Sequence, residues 1–207
     1  MYSFSSNVVF EDTTVYGIST DSLGLFSLLS TTLTLRNSYV HTIEVEPTYN
    51  MFQVSEHSTL NLDGTNVTNC IGKIITSTQS DVVIKGSRLW DLTTSTYLIF
   101  NARGYLRIES SYINDINMDG ASSNIKYVIL ARRTNGEIVG STFERLPKDI
   151  FYTRISTWLF EDSIFKSSVY EANGPTTQQC LNLEDITNAI VRNCTFENFK
   201  AVWSTGH

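Results

Sequence analysis

The chain has 207 residues, with 15 Lys and Arg against 21 Asp and Glu, a formal charge of −6. That balance, with no cluster of basic residues, argues against a general nucleic-acid binder, and no apolar run is long enough to suggest a membrane span. The length suffices for one domain with a sizeable core.

In chain order, the first element is Asn7–Glu11, followed by a break and a second apolar stretch through Ile18. The next copy, Thr32 to Ile43, is clearer. Leu33 and Leu35 alternate with Thr34 and Arg36, the period of a strand with one buried face. Asn37-Ser38 interrupts the alternation, and Asn tolerates the left-handed conformation of a sharp turn. Val40 and Ile43 then resume the apolar pattern. Further copies begin at Thr59, Asp81, Tyr105, Asn135, Thr157 and Asn188, spaced 22 to 31 residues apart.

Aligned on these starts, four columns of the repeat are almost wholly apolar. The fourth, for example, reads Phe10, Leu35, Leu62, Ile84, Ile108, Ile138, Phe160, Val191. The second, ninth and twelfth behave alike, so all four face one core. The sixth column is Asp12, Asn37, Gly64, Gly86, Ser110, Gly140, Asp162, Asn193, residues that accept positive φ at little cost. A turn recurring at one place in every repeat is the corner of a coil. A third apolar run precedes each later repeat; Tyr97–Phe100 and Ile150–Tyr152 are examples, and length variation concentrates before it. The longest insertions are Asn117–Lys126 and Val169–Gln179.

Three short strands per 22- to 31-residue turn predict an all-β fold, a parallel β-helix solenoid of about eight coils. Leucine-rich repeats compete on length, but no segment carries a helical period, and β-branched and aromatic residues fill all three runs. Residues 1–207 read as one domain. Its first coil starts almost at residue 1, and no amphipathic helix caps either end. The expectation is therefore an excerpt of a longer solenoid, or a subunit whose ends another copy covers.

These repeats, notably Leu33 to Ile43 and Ala189 to Phe199, resemble right-handed β-helix proteins of the pectin-lyase-like superfamily. In style they are most similar to repeat-built cell-surface proteins of protists and bacteria. The resemblance runs from about Asn7 to Phe199; it implies the right-handed fold, as does the general handedness of parallel crossovers. Polygalacturonase-like members carry Asn-Thr-Asp, Asp-Asp, Gly-His-Gly and Arg-Ile-Lys motifs, none of which occurs here. Pectate-lyase-like members gather Asp and Arg on one strand face. The nearest set here is Asp91, Asp115 and Arg145, in one column of consecutive repeats. Two close carboxylates beside a base suit Ca²⁺ binding or acid–base work on a polysaccharide. Trp90 and the Asn117–Lys126 loop would supply a sugar platform. The competing explanation is a solvated corner, where Asp and Asn are common.

Other candidate sites are modifications and ladders. Asn66-Val67-Thr68 and Asn193-Cys194-Thr195 fit the N-glycosylation pattern. Both positions should be exposed, although so short a motif also arises by chance in a chain rich in Asn, Ser and Thr. Cys70 reads as a buried small hydrophobe. Cys180 and Cys194 fall close enough in sequence for a disulfide, against which an odd cysteine count speaks. No Cys/His spacing suggests a metal, and no cofactor is expected. The fifth column, Glu11, Arg36, Asp63, Lys85, Glu109, alternates in sign and reads as a register-setting charge ladder.

Abundant Ser, Thr and Asn with sparse Lys suits an extracellular or cell-surface location. Met1 to Phe4 shows neither the charged nor the apolar region of a signal peptide, which leaves a cytosolic protein or a piece cut from a secreted one. The first functional expectation is a structural or adhesive extracellular protein. It would self-associate or join neighbouring β-helix segments, with Tyr16, Tyr39, Trp90 and Tyr112 exposed for lateral contacts or glycans. The second is a polysaccharide lyase or hydrolase, or a non-catalytic glycan-binding relative of one.

Overall fold

The computed structural model describes residues 2–20, 24–46, 49–118, 127–146, 149–167, 179–185, 188–199 and 201–206. Most of the two insertions noted above lies outside them. Every regular element among the described residues is a strand, and the strands form three parallel sheets. The first sheet holds nine strands, from Tyr2–Phe4 to Ala201–Gly206; the second holds eight, from Asn7–Glu11 to Asn188–Arg192; the third holds eight, from Thr14–Thr20 to Thr195–Glu197. Each coil gives one strand to each sheet, and neighbouring coils are hydrogen-bonded. The expected all-β solenoid of eight three-stranded coils is thus observed. Sequence columns become register columns: Leu33 pairs Leu60, Leu60 pairs Val82, and Val82 pairs Leu106. The first and last strands of the first sheet are additions to the sequence reading.

Positive φ shapes the coil. At the corner between the second and third sheets, Asp12, Asn37, Ser110, Asp162 and Asn193 have φ of 48–53°. Gly64, Gly86 and Gly140 occupy the same place at 56–60°. A second left-handed residue lies inside the third-sheet strands, at Thr42, Asn69, Asp91, Asp115 and Arg145. It advances the alternation by one residue. Leu89 and Leu92, three apart, therefore both point inward, while Trp90 and Asp91 both lie outside. This local twist explains why apolar columns nine and twelve are spaced by three rather than two.

The interior is a column of stacked side chains. Leu33, Leu60, Val82, Leu106, Ile108 and Ile138 are fully buried, and burial of each such side chain contributes about 1.5–3 kcal/mol relative to exposure. Phe143, Phe165 and Phe196 stack in successive coils with centroids 5.1 and 5.2 Å apart. Beside them Gly136 pairs with Trp158, whose indole fills the space that a side chain at 136 would need. Behind the corner runs a buried hydroxyl ladder. The Ser87 amide donates to Ser111 Oγ at 3.2 Å, Ser111 to Ser141 Oγ at 3.2 Å, and Ser141 to Ser163 Oγ at 3.1 Å. Each hydroxyl also donates to the carbonyl two residues back, as Ser111 does to Glu109 at 2.8 Å. The residue after each corner, small in every repeat, supplies this ladder.

Candidate functional site on the third sheet

Outward positions of the third sheet alternate with the buried ones and form two rows across the coils. One row passes through Tyr39, Asn66, Arg88 and Tyr112, and the other through Tyr16, His41, Thr68, Trp90 and Asn114. In-register stacking at roughly 4.8 Å per coil brings large side chains into contact. Tyr16 stacks on His41 at 5.3 Å with the planes 5° apart, and Tyr39 meets His41 at 4.6 Å. Tyr39 and Trp90 lie 6.3 Å apart, two coils distant, with Asn66 and the buried Thr68 on the coil between. The Arg88 guanidinium sits 4.6 Å from the Trp90 ring and 5.2 Å from the Tyr112 ring, a doubled cation–π contact. Tyr16 is 65% exposed and Tyr39 37%, whereas Trp90 and Tyr112 are half-buried. The result is a continuous aromatic and guanidinium strip over five coils. Flat amphipathic rings on a rigid sheet can stack on apolar faces while their polar edges stay wet.

The strip ends at a charged cluster. Tyr112 donates to Glu144, and Arg145 Nη1 lies 3.0 Å from Glu144 Oε1. Arg145 also grips Asp115 with two bonds, Nε–Oδ1 at 2.5 Å and Nη2–Oδ2 at 2.8 Å. Asn114 donates to the same carboxylate at 2.5 Å. The Arg145 bonds hold the Asp115 carboxyl below the usual carboxylate range, so it is a committed anion rather than a proton donor. Asp91 is exposed at the same bulge one coil earlier. The three residues singled out from sequence thus sit on consecutive coils, two of them joined as an ion pair. Asn117 is exposed beside them, while residues 119–126 of the Asn117–Lys126 loop expected to supply a platform lie outside the described residues. Farther along the same bulge, a shallow groove runs between Gly17, Thr42, Asn69 and Ile71. Among the described residues no group of three or more His, Cys, Asp or Glu could hold a metal ion, and no helix is long and apolar enough to cross a membrane.

The remaining candidates fall elsewhere. Asn66 is exposed within the strip, and Asn193 is exposed at a corner with φ 53°. Cys180 and Cys194 stand as free thiols, as does the buried Cys70. Burial pushes Cys70 up to about 11 and Cys180 well above the ordinary thiol value, which makes both poor nucleophiles at neutral pH. The fifth-column ladder forms ion pairs, Arg36 to Glu11 at 3.3 Å and to Asp63 at 3.6 Å, Lys85 to Glu109 at 3.7 Å. His41 and Arg88 were not among the expected contact residues. The signal for them lay in the eighth and tenth columns of the repeat, the outward positions, which become informative only when read down as stacks.

Fold and site together define a parallel β-solenoid with an aromatic outer strip. No family model and no curated protein matches the chain. Among solved structures it is similar to QnrB1, a plasmid-mediated fluoroquinolone resistance protein, at 11% identity and a TM-score of 0.27 over 93% of this chain and 92% of that one. At that overlap the likeness bears on neither activity nor partner.

Proposed function

We propose that this chain is a structural and adhesive β-solenoid of the extracellular surface, and that its third sheet is the contact face for saccharides. The observation that supports this is the strip of Tyr16, His41, Tyr39, Trp90, Arg88 and Tyr112, already stacked side chain to side chain. A saccharide laid along it meets rings that lose little conformational freedom on binding. Membership of the pectin-lyase-like superfamily, which the repeats resemble, fits this reading. So does an N-glycan on Asn193, exposed outside the strip, whereas a glycan on Asn66 would cover the contact face. Neighbouring solenoid coils, of this chain or of another copy, are natural partners along the axis. Val8 and Phe10 of the first full coil, and Ala189 and Phe196 of the last, are only partly buried. Stacking the last coil of one copy directly on the first coil of the next, in register, would set Arg192 opposite Glu11 and continue the charge alternation.

A second reading, cleavage of a polysaccharide, draws on the alignment of Asp91, Asp115 and Arg145 on consecutive coils. The Arg145 clamp on Asp115 weighs against it, since it occupies the carboxylate that acid–base work would use. A polysaccharide array probed with the wild type and with Trp90→Ala tests both readings. The adhesive reading expects binding to one saccharide class, lost in the variant, with no new reducing ends. Equal binding by both proteins contradicts it. Release of reducing ends that stops in Asp115→Asn supports the second reading instead.

A further inference from the structure

On the opposite side of the coil, where the first sheet turns into the second, like charges meet in register. Among the described strands, register pairs of two charged residues join opposite signs, as in Glu11–Arg36, Arg107–Glu137 and Lys166–Glu197. The exception is Arg132, which pairs in register with Arg154. Two further arginines sit at the adjoining turn. The Arg103 amide donates to Arg132 O and the Arg133 amide to Arg154 O, both at 2.9 Å, so Arg103 and Arg133 occupy the same place on consecutive coils. All four are exposed. Arg154 is bound to Asp185. Among the described residues, Arg103, Arg132 and Arg133 have no carboxylate within ion-pair distance.

Arg103 and Arg133 have φ of 59° and 52°, and the residues at this turn on neighbouring coils, Glu56, Gln79 and Ile155, are left-handed too, at 53–55°. The coil therefore sets the backbone here and leaves the choice of side chain open. Like charges one strand spacing apart repel, which disfavours clustered arginine, the more so with no carboxylate beside it. Repulsion that persists at one place marks a site where another requirement dominates.

We propose that Arg103, Arg132 and Arg133 form a binding site for a polysaccharide bearing sulfate or carboxylate groups, lying along the solenoid axis. Planar guanidinium groups bind such oxyanions through paired hydrogen bonds. Stacking at roughly 4.8 Å per coil presents them as a short row rather than a single point. The row covers two neighbouring coils, which suits adjacent charged groups of one oligosaccharide. The negative charge of the rest of the molecule repels a long nucleic-acid polyanion. This site lies apart from the third-sheet strip and does not depend on it.

Titration calorimetry of the 207-residue chain against a heparin octasaccharide and an oligogalacturonate distinguishes sulfate from carboxylate, and a single-stranded oligonucleotide serves as the competing polyanion. The informative variant is Arg103→Asn/Arg133→Asn, because Asn accepts the left-handed turn. It should melt a few degrees higher than the wild type while affinity for the preferred oligosaccharide falls at least tenfold, as expected for lost charge-assisted bonds. Lys85→Gln, on another corner, should leave affinity within about twofold. Added salt should weaken wild-type binding. The proposal is overturned by undiminished affinity in the double variant, by an equal loss in Lys85→Gln, by stronger binding of the oligonucleotide, or by no binding of either oligosaccharide at physiological salt.

Discussion

At the scale of single residues, the fold depends on where side chains are absent as much as on where they are present. Gly136 occupies an inward position that every other coil gives to a side chain, and Trp158 on the next coil uses the vacated volume. A Cβ at 136 would lie 2.3 Å from the indole. Trp158 also anchors itself by donating from Nε1 to Thr153 Oγ1 at 3.0 Å. Gly136→Val should therefore force the indole out of place and cost about 1–3 kcal/mol, the usual range for an overpacked core. Urea denaturation of the variant checks this; a midpoint equal to that of the wild type would show that the indole has room to move. In sequence, Gly136 and Trp158 are two members of the second column, which reads as apolar overall. Their complementarity became visible only with the register.

At the scale of the element, most turns between the second and third sheets are held by a hydroxyl that satisfies an amide on the preceding coil. Ser111 is 4% exposed and accepts from the Ser87 amide. Ser111→Ala leaves that donor unpaired in a place water does not reach, at a cost of about 1–3 kcal/mol. Ser110→Ala, one residue earlier and exposed, loses no such bond. Hydrogen exchange at the Ser87 amide should quicken in the first variant and stay unchanged in the second. Equal exchange in both would mean that the ladder is incidental to the turn. The turn itself was legible in the sequence, because Asp, Asn, Gly and Ser share one backbone preference. The bulge inside the third-sheet strands was not, because Thr42 and Arg145 carry no such signature and only the three-residue spacing of apolar columns hinted at it.

For the whole molecule, repetition made the architecture readable. One pattern sampled eight times separates inward from outward positions even where single copies are degenerate, so sheets, corners and coil number followed from the columns. The aromatic strip was half legible. Tyr16, Tyr39, Trp90 and Tyr112 were expected on the surface, but their union through His41 and Arg88 arises between coils, in contacts that run across the sequence repeat. Asp115 and Arg145 were read as neighbours, whereas their bidentate bonding depended on side-chain geometry. The strands Tyr2–Phe4 and Ala201–Gly206 lacked a neighbouring repeat on one side and went unseen for that reason.

If the third sheet is a saccharide contact face, as proposed, Trp90 reports on it directly. Its ring lies within the strip, on the fourth of its five coils, while Trp158 is buried in the core. Steady-state tryptophan fluorescence, followed during titration with the saccharide selected on the array, should change saturably in the wild type. The change should vanish in Trp90→Phe and weaken in Tyr39→Ala. A saccharide that binds by calorimetry yet leaves the Trp90 emission untouched would place the contact elsewhere on the solenoid and contradict the account.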